Sequence, residues 1–195
     1  MTDPDGPEYD RFRALYAEHY AAVLRYAARR VGAEEARDIA AETFLTAWRK
    51  LGQVPATQPL PWLYATARLC LANELRRKDR LDRLGSRLRA ETARGPGGTD
   101  PELSERLADQ LAVLSALATL RPKDQEALRL TEWEQLDTTA GAAALGCSAG
   151  AFKVRLHRAR RRLARALDQQ AAETRGSAAD AVALNGFSIR TEITP

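Results

Sequence analysis

Thr138-Thr139-Ala140-Gly141-Ala142-Ala143-Ala144-Leu145, then Gly146-Cys147, then Ser148 running on through Phe152-Lys153-Val154-Arg155-Leu156-His157-Arg158-Ala159-Arg160-Arg161-Arg162-Leu163, decides how this chain reads. The stretch predicts two helices about a tight turn, with base gathered on the second. Seven Lys/Arg (153, 155, 158, 160, 161, 162, 165) lie between Lys153 and Arg165, and no acid lies among them. A short helix, a glycine turn and a basic second helix form the layout of a helix-turn-helix, whose second helix enters the DNA major groove.

Successive helical residues lie about 100° apart, so residues four apart share a face. Phe152, Leu156, Ala159 and Leu163 form one apolar stripe, expected to pack inward. Lys153, Val154, His157 and Arg158 form an exposed stripe near the helix start, where base edges are within reach. Lys or Arg can bond guanine, and Val154 can touch a thymine methyl. His157 alone is a weak signal, equally a base contact or a polar surface residue. Arg155, Arg160, Arg161, Arg162 and Arg165 suit phosphates. About five neutralised phosphates would give a slope of log K against log salt of about −4 to −5.

Outward from this element, Leu103, Leu107, Leu111, Leu114 and Leu117 keep a helical period, and Arg121-Pro122 breaks it. Pro122 is suited to the first turn of the next helix, which carries Ala127, Leu128 and Leu130. Upstream, Arg94-Gly95-Pro96-Gly97-Gly98-Thr99-Asp100-Pro101 has the glycine and proline density of a linker. Before it, Phe12, Leu15, Tyr16, His19, Tyr20, Val23, Leu24, Tyr26 and Ala27 mark one helix, closed at Val31-Gly32. A second begins with Glu34-Glu35 and continues through Ile39, Phe44, Leu45, Trp48 and Leu51. Gln53–Pro61 is expected to be a loop, because it carries three prolines. Trp62–Arg80 is a third helix, with Trp62 its expected core anchor and Leu63, Ala67, Cys70 or Leu71, and Leu75 facing inward. The expectation is an all-α chain of two small helical domains, 8–80 and 103–168, joined by a flexible linker at 81–102. A disordered tail is expected at 169–195.

The chain has 195 residues and a net charge of +4, so attraction to a polyanion must come from local clustering. Arg68 to Arg94 holds nine bases against four acids, whereas Asp100 to Gly141 holds nine acids against four bases. No apolar run approaches the roughly 20 residues that span a bilayer. Met1 to Asp10 is acidic, unlike the positive start of a signal peptide, so a cytoplasmic protein is expected. Cys70 and Cys147, the only cysteines, are read as packed thiols rather than a disulfide. With His19 and His157 they show no metal-ligand spacing. No nucleophile–base pair and no phosphate loop are present, so neither an enzyme nor a cofactor is expected.

Three segments stand in order in the first block: Asp38-Ile39-Ala40-Ala41-Glu42-Thr43-Phe44-Leu45-Thr46-Ala47-Trp48-Arg49, the proline-rich loop, and Pro61-Trp62-Leu63-Tyr64-Ala65-Thr66-Ala67-Arg68. Across the linker follow Leu120-Arg121-Pro122, Ala144-Leu145-Gly146-Cys147-Ser148 and Arg155-Leu156-His157-Arg158-Ala159-Arg160. In this order the motifs resemble a group 4, extracytoplasmic-function (ECF) sigma factor of bacterial RNA polymerase, over about Phe12 to Leu167. The resemblance implies that the first domain is sigma region 2, binding the β′ clamp helices of core RNA polymerase through Asp38, Glu42 and Phe44. It implies that the loop and third helix capture the −10 element, with Arg68, Asn73, Arg76, Arg77 and Lys78 as candidates. It implies that the second domain is region 4, facing the β flap and reading the −35 element through Lys153, Val154, Arg155, His157, Arg158 and Arg161. Promoter DNA, core RNA polymerase and an anti-sigma factor are the implied partners. The chain departs from the family's common pattern at Ala41, Leu69 and Asn73, where Gln, Asn and Asp are usual. The competing reading is a stand-alone helix-turn-helix regulator, which would shift duplex DNA without polymerase.

Overall fold

The computed structural model describes residues 6–85 and 101–188. Among these there are seven α-helices: α1 Pro7–Ala28, α2 Ala33–Arg49, α3 Pro59–Gly85, α4 Pro101–Ala118, α5 Pro122–Glu132, α6 Thr138–Leu145 and α7 Ala149–Ser188. The described residues contain no strand, so the all-α expectation holds. By contacts the chain falls into two units. One joins α1, α2 and α3 to residues 130–152, and the other joins α4, the rest of α5 and α7 from 153.

In the first unit, α1 starts with Pro7 after Gly6, so the missing proline N–H falls among donors that a helix start leaves unpaired. Leu15, His19, Val23, Tyr26 and Ala27 are its buried face. Gly32 precedes α2, whose Glu34 and Glu35 face the positive end of the helix dipole. Ile39, Ala40, Thr43, Phe44 and Ala47 are buried on α2, and the Thr43 hydroxyl is satisfied by donating to the Ile39 carbonyl at 2.7 Å.

The expected loop at 53–61 is shorter than the prolines suggest. A 3-10 turn, Leu51–Gln53, packs Leu51 inward, Val54 is 3% exposed, and α3 begins at Pro59. Proline is tolerated in the first helical turn, so Pro59 and Pro61 start a helix rather than extend a loop. The Arg11 Nη2 donates to the Val54 carbonyl at 2.6 Å, tying the turn to α1.

The core anchor of α3 is also different from expectation. Tyr64 is 4% exposed and stacks on Tyr26 with ring centroids 4.8 Å apart, while Trp62 is only half-buried. Burial pushes the Tyr64 hydroxyl up to about 12. Leu63, Ala67 and Leu71 face inward as expected, whereas Leu75 is exposed. Residues 130–136 close the same unit. Glu134, with a side chain 4% exposed, accepts from Arg30 at 3.1 Å and Arg29 at 3.3 Å, and the Arg30 guanidinium lies 3.6 Å over the Tyr26 ring. Gln135 takes a left-handed φ of 55°, and its side-chain amide donates to the Glu132 carbonyl at 2.6 Å.

In the second unit, Ala116, Leu117, Leu120, Ala127 and Leu128 are buried, while Leu111, Val113 and Leu114 stand exposed on α4. Helices pass two expected boundaries: α3 runs to Gly85 and α7 to Ser188. Residues 169–188 lack a clear apolar period but are rich in alanine and poor in β-branched residues, so backbone propensity favours helix there. Of the expected linker, 86–100 lies outside the described residues, as does 189–195 of the expected tail.

Candidate nucleic-acid interface

The turn that presents α7 is built from local rules. Asp137 caps α6 by accepting from the Ala140 N–H at 2.8 Å. Gly146 ends the helix at φ 69°, a conformation that a Cβ disfavours. Its N–H donates to the Ala143 carbonyl at 3.2 Å, and the Cys147 N–H donates to Ala142 at 3.0 Å, the paired bonds of a Schellman turn. Ser148 then caps α7, its Oγ accepting from the Ala151 N–H at 3.2 Å. Gly141 fixes how closely α6 meets the start of α7. A Cβ there would lie 2.5 Å from the Phe152 Cζ, and Phe152 is fully buried. The glycine that weakens α6 as a helix is therefore the one that admits the Phe152 ring.

Beyond that turn Lys153, Val154, His157, Arg158 and Arg161 are all exposed, Val154 by 50%. Their surface holds three Lys/Arg and one histidine over a little more than two turns. Among the described residues none of Lys153, His157, Arg158 or Arg161 is engaged by an acid. Phe152, Leu156 and Ala159 are buried on the opposite stripe, and Leu163 is half-buried. Arg155 differs from the other −35 candidates. It is half-buried, and its Nη1 donates to the Asp124 Oδ1 of α5 at 3.2 Å. Asp124 also accepts from Arg162. Sequence reading passed over Asp124, because an acid in the first turn after Pro122 looks like a helix-start charge and its partners are 31 and 38 residues away.

The −10 candidates are arranged differently. On α3, Arg77 grips Glu74 with two bonds of 2.8 Å, and Arg76 donates to the Asn73 Oδ1 at 2.7 Å. Lys78 reaches Glu35 on α2 at 2.5 Å. The Arg77 bond holds the Glu74 carboxyl below the usual carboxylate range, and the Lys78 bond does the same for Glu35; Arg77 and Lys78 are correspondingly raised. Arg68 is half-buried, and its Nε is buried without a hydrogen-bond partner.

Between α2 and α3 runs a cleft of about 710 Å³, bordered by Asp38, Glu42, Trp62, Leu69, Asn73 and Arg77. It brings two core-binding candidates beside two −10 candidates. Phe44 is not with them. It lies about 200° round α2 from Glu42, is 2% exposed, and packs among Phe12, Tyr16 and Tyr20. It is thus a core residue and forms the floor of a separate aromatic groove, not an exposed anchor beside Asp38 and Glu42. Trp48 is half-buried in that groove. Trp62, expected to anchor the core, is instead half-buried and borders this cleft.

Comparisons with known proteins agree with this geometry. The sequence matches the Sigma-70 region 2 family over residues 15–81 and Sigma-70, region 4 over residues 110–163. The presence of region 2 decides against the stand-alone regulator. The ECF RNA polymerase sigma factor SigL of Mycobacterium tuberculosis is 33% identical over 155 residues, covering 77% of this chain and 85% of SigL. RNA polymerase sigma factor CarQ of Myxococcus xanthus is 33% identical over 158 residues, covering 79% of this chain and 87% of CarQ. The fold is shared with the sigma factor RpoE of Bartonella quintana, solved with the anti-sigma factor NepR, at a TM-score of 0.59 and 24% identity over 80% of this chain and 96% of that one. It is shared too with CnrH, solved with the cytosolic domain of CnrY, at 0.56 and 24% over 81% and 88%. No helix among the described residues is long and apolar enough to cross a membrane. This chain belongs to the ECF RNA polymerase sigma factors, which direct core polymerase to promoter DNA and start transcription of a subset of genes.

Proposed function

We propose that the start of α7 reads the −35 duplex, with Lys153, Val154, His157 and Arg158 at base edges and Arg161 on phosphate. The observation that carries this is the exposed surface of Lys153, His157, Arg158 and Arg161, none of which meets an acid among the described residues, set behind a capped glycine turn. Arg155 drops out of the reading set because it is turned to Asp124. The −10 element is captured at the α2–α3 cleft, where Arg68, Asn73, Arg76, Arg77 and Lys78 lie along α3 and Trp62 offers a face on which an extruded base can stack. Strand opening draws on binding free energy, with no reaction catalysed by this chain.

Core polymerase binds the exposed acids Asp38 and Glu42, which suit a basic partner helix. Leu111 and Leu114, exposed three residues apart on α4, offer an apolar face to the β flap. The protein acts in the cytoplasm, where its polymerase is. Control by an anti-sigma partner belongs to the same proposal, because RpoE and CnrH are solved with NepR and CnrY. The test is transcription in vitro with purified core polymerase over fragmented genomic DNA, with start sites mapped. A shared pair of elements upstream of the new starts supports the assignment, and no factor-dependent start refutes it.

A further inference from the structure

Asp124 is 3% exposed, yet it carries two arginines. Its Oδ1 accepts from Arg155 and its Oδ2 from Arg162. Those arginines are seven residues apart on α7, two helical turns, and so share a stripe. That stripe lies roughly a third of a turn round from the exposed surface of Lys153, Val154, His157, Arg158 and Arg161. The side chains of Arg155 and Arg162 remain 32% and 44% exposed, so solvent and polyanion can reach them. Two mobile cations beside a DNA-reading helix would add phosphate contacts in any orientation of the helix on DNA. Such contacts carry no sequence information and raise non-specific binding. At a matched site the helix is fixed in the groove, and this stripe points away from the bases.

We propose that Asp124 is a specificity-determining positioning residue, which holds Arg155 and Arg162 off the DNA backbone and leaves discrimination to the exposed residues of α7. The inference rests on the reading of α7 as the −35 helix. It makes the useful quantity the ratio of matched to random-sequence affinity rather than affinity itself.

The experiment is fluorescence anisotropy of the full-length protein on a labelled random-sequence 20-bp duplex, titrated over a range of salt. Asp124→Asn is expected to steepen the slope of log K against log salt by about 1 to 2, at about 0.9 per added phosphate. It should tighten binding roughly fivefold per phosphate near 0.15 M salt. Asp124→Glu should restore the wild-type slope. Arg162→Gln should leave the slope where it is, because that cation is already withheld. An unchanged slope in folded Asp124→Asn overturns the proposal, as does a flattening of about 0.9 in Arg162→Gln. The Arg162→Gln arm decides alone if Asp124→Asn does not fold, since Arg155 then keeps its carboxylate. A merely structural Asp124 would shift the thermal melt without moving the slope, which also overturns the proposal. Arg158→Ala and Arg161→Ala should each flatten the slope; if they too leave it unmoved, the −35 reading fails, and this inference with it.

Discussion

The two helices proposed to face nucleic acid handle their charge in opposite ways. On α3 three cations come with partners: Arg77 with Glu74, Lys78 with Glu35, Arg76 with Asn73. On α7 the buried acid Asp124 engages Arg155 and Arg162, while Lys153, Arg158 and Arg161 meet no acid among the described residues. A helix that docks in duplex gains from bare charge, since each phosphate neutralised releases counterions. A helix that accepts a melted strand beside a polymerase needs shape, a stacking face and cations held in place. Paired cations on α3 supply that with little non-specific attraction.

The strongest way to break this contrast is to strip α7. Lys153→Ala with Arg158→Ala should remove about 2 kcal/mol per residue at the −35 element, roughly a thousandfold in promoter occupancy. Transcription from a −35-dependent promoter should vanish while binding to core polymerase is kept. Undiminished output would show that the cations of α7 do not read DNA. The matching change on α3, Arg77→Gln, should cost far less, because its charge is already engaged by Glu74.

The second prediction tests how α7 is presented. Gly141→Ala should raise the helix propensity of α6 by about 1 kcal/mol, yet the added Cβ would fall 2.5 Å from the Phe152 ring. Overpacking of a buried ring costs about 1–3 kcal/mol, so the net effect should be destabilisation read as a lower thermal midpoint. A stabilised variant would mean that Phe152 has room to move and that the approach of α6 to α7 is loose.

These two cases also show what a sequence can disclose. The glycine turn, the capping Asp137 and Ser148, and the periodic stripe of Phe152, Leu156 and Ala159 are local, so the helix-turn-helix was legible before any coordinates. The pairing of region 2 with region 4 was legible through motif order. What escaped was set by contacts distant in sequence. Phe44 and Glu42 are neighbours in the chain but point to opposite sides of α2, and only the packing of α1 decides which side is core. That Tyr64 rather than Trp62 is the buried aromatic of α3 goes with its stack on Tyr26, 38 residues away by number, which no helical period reports. The cost of Gly141 was visible, but its benefit required the position of Phe152. Asp124 and its arginines belong to the same class.

A third prediction separates the two faces of α2. Asp38→Arg with Glu42→Arg should weaken core binding about tenfold and leave the fold intact, since both side chains are exposed and such charges act mainly through electrostatic complementarity. Phe44→Ala should instead unfold part of the first unit, since truncation of a buried aromatic costs about 3–5 kcal/mol. Native gel binding to core polymerase and thermal denaturation distinguish them. Full affinity in the double charge reversal would move the polymerase interface away from the cleft.

The smallest expected effect is the most direct measure of the contrast. Glu35 and Glu74 titrate below the usual carboxylate range because Lys78 and Arg77 bond their charged forms. A carboxylate lowered in the folded state adds stability above its unfolded pKa and loses that contribution as pH falls through the folded value. Acid should therefore loosen α3 around these pairs and release Arg77 and Lys78, while Lys153, Arg158 and Arg161 of α7, which meet no carboxylate among the described residues, keep their environment. Carboxyl carbon NMR shifts followed against pH would report both midpoints, to be set against the usual carboxylate range. A Glu74 midpoint inside the usual carboxylate range would mean that Arg77 is free in solution. The two helices would then present charge alike, and the division of labour between them would have to rest on shape alone.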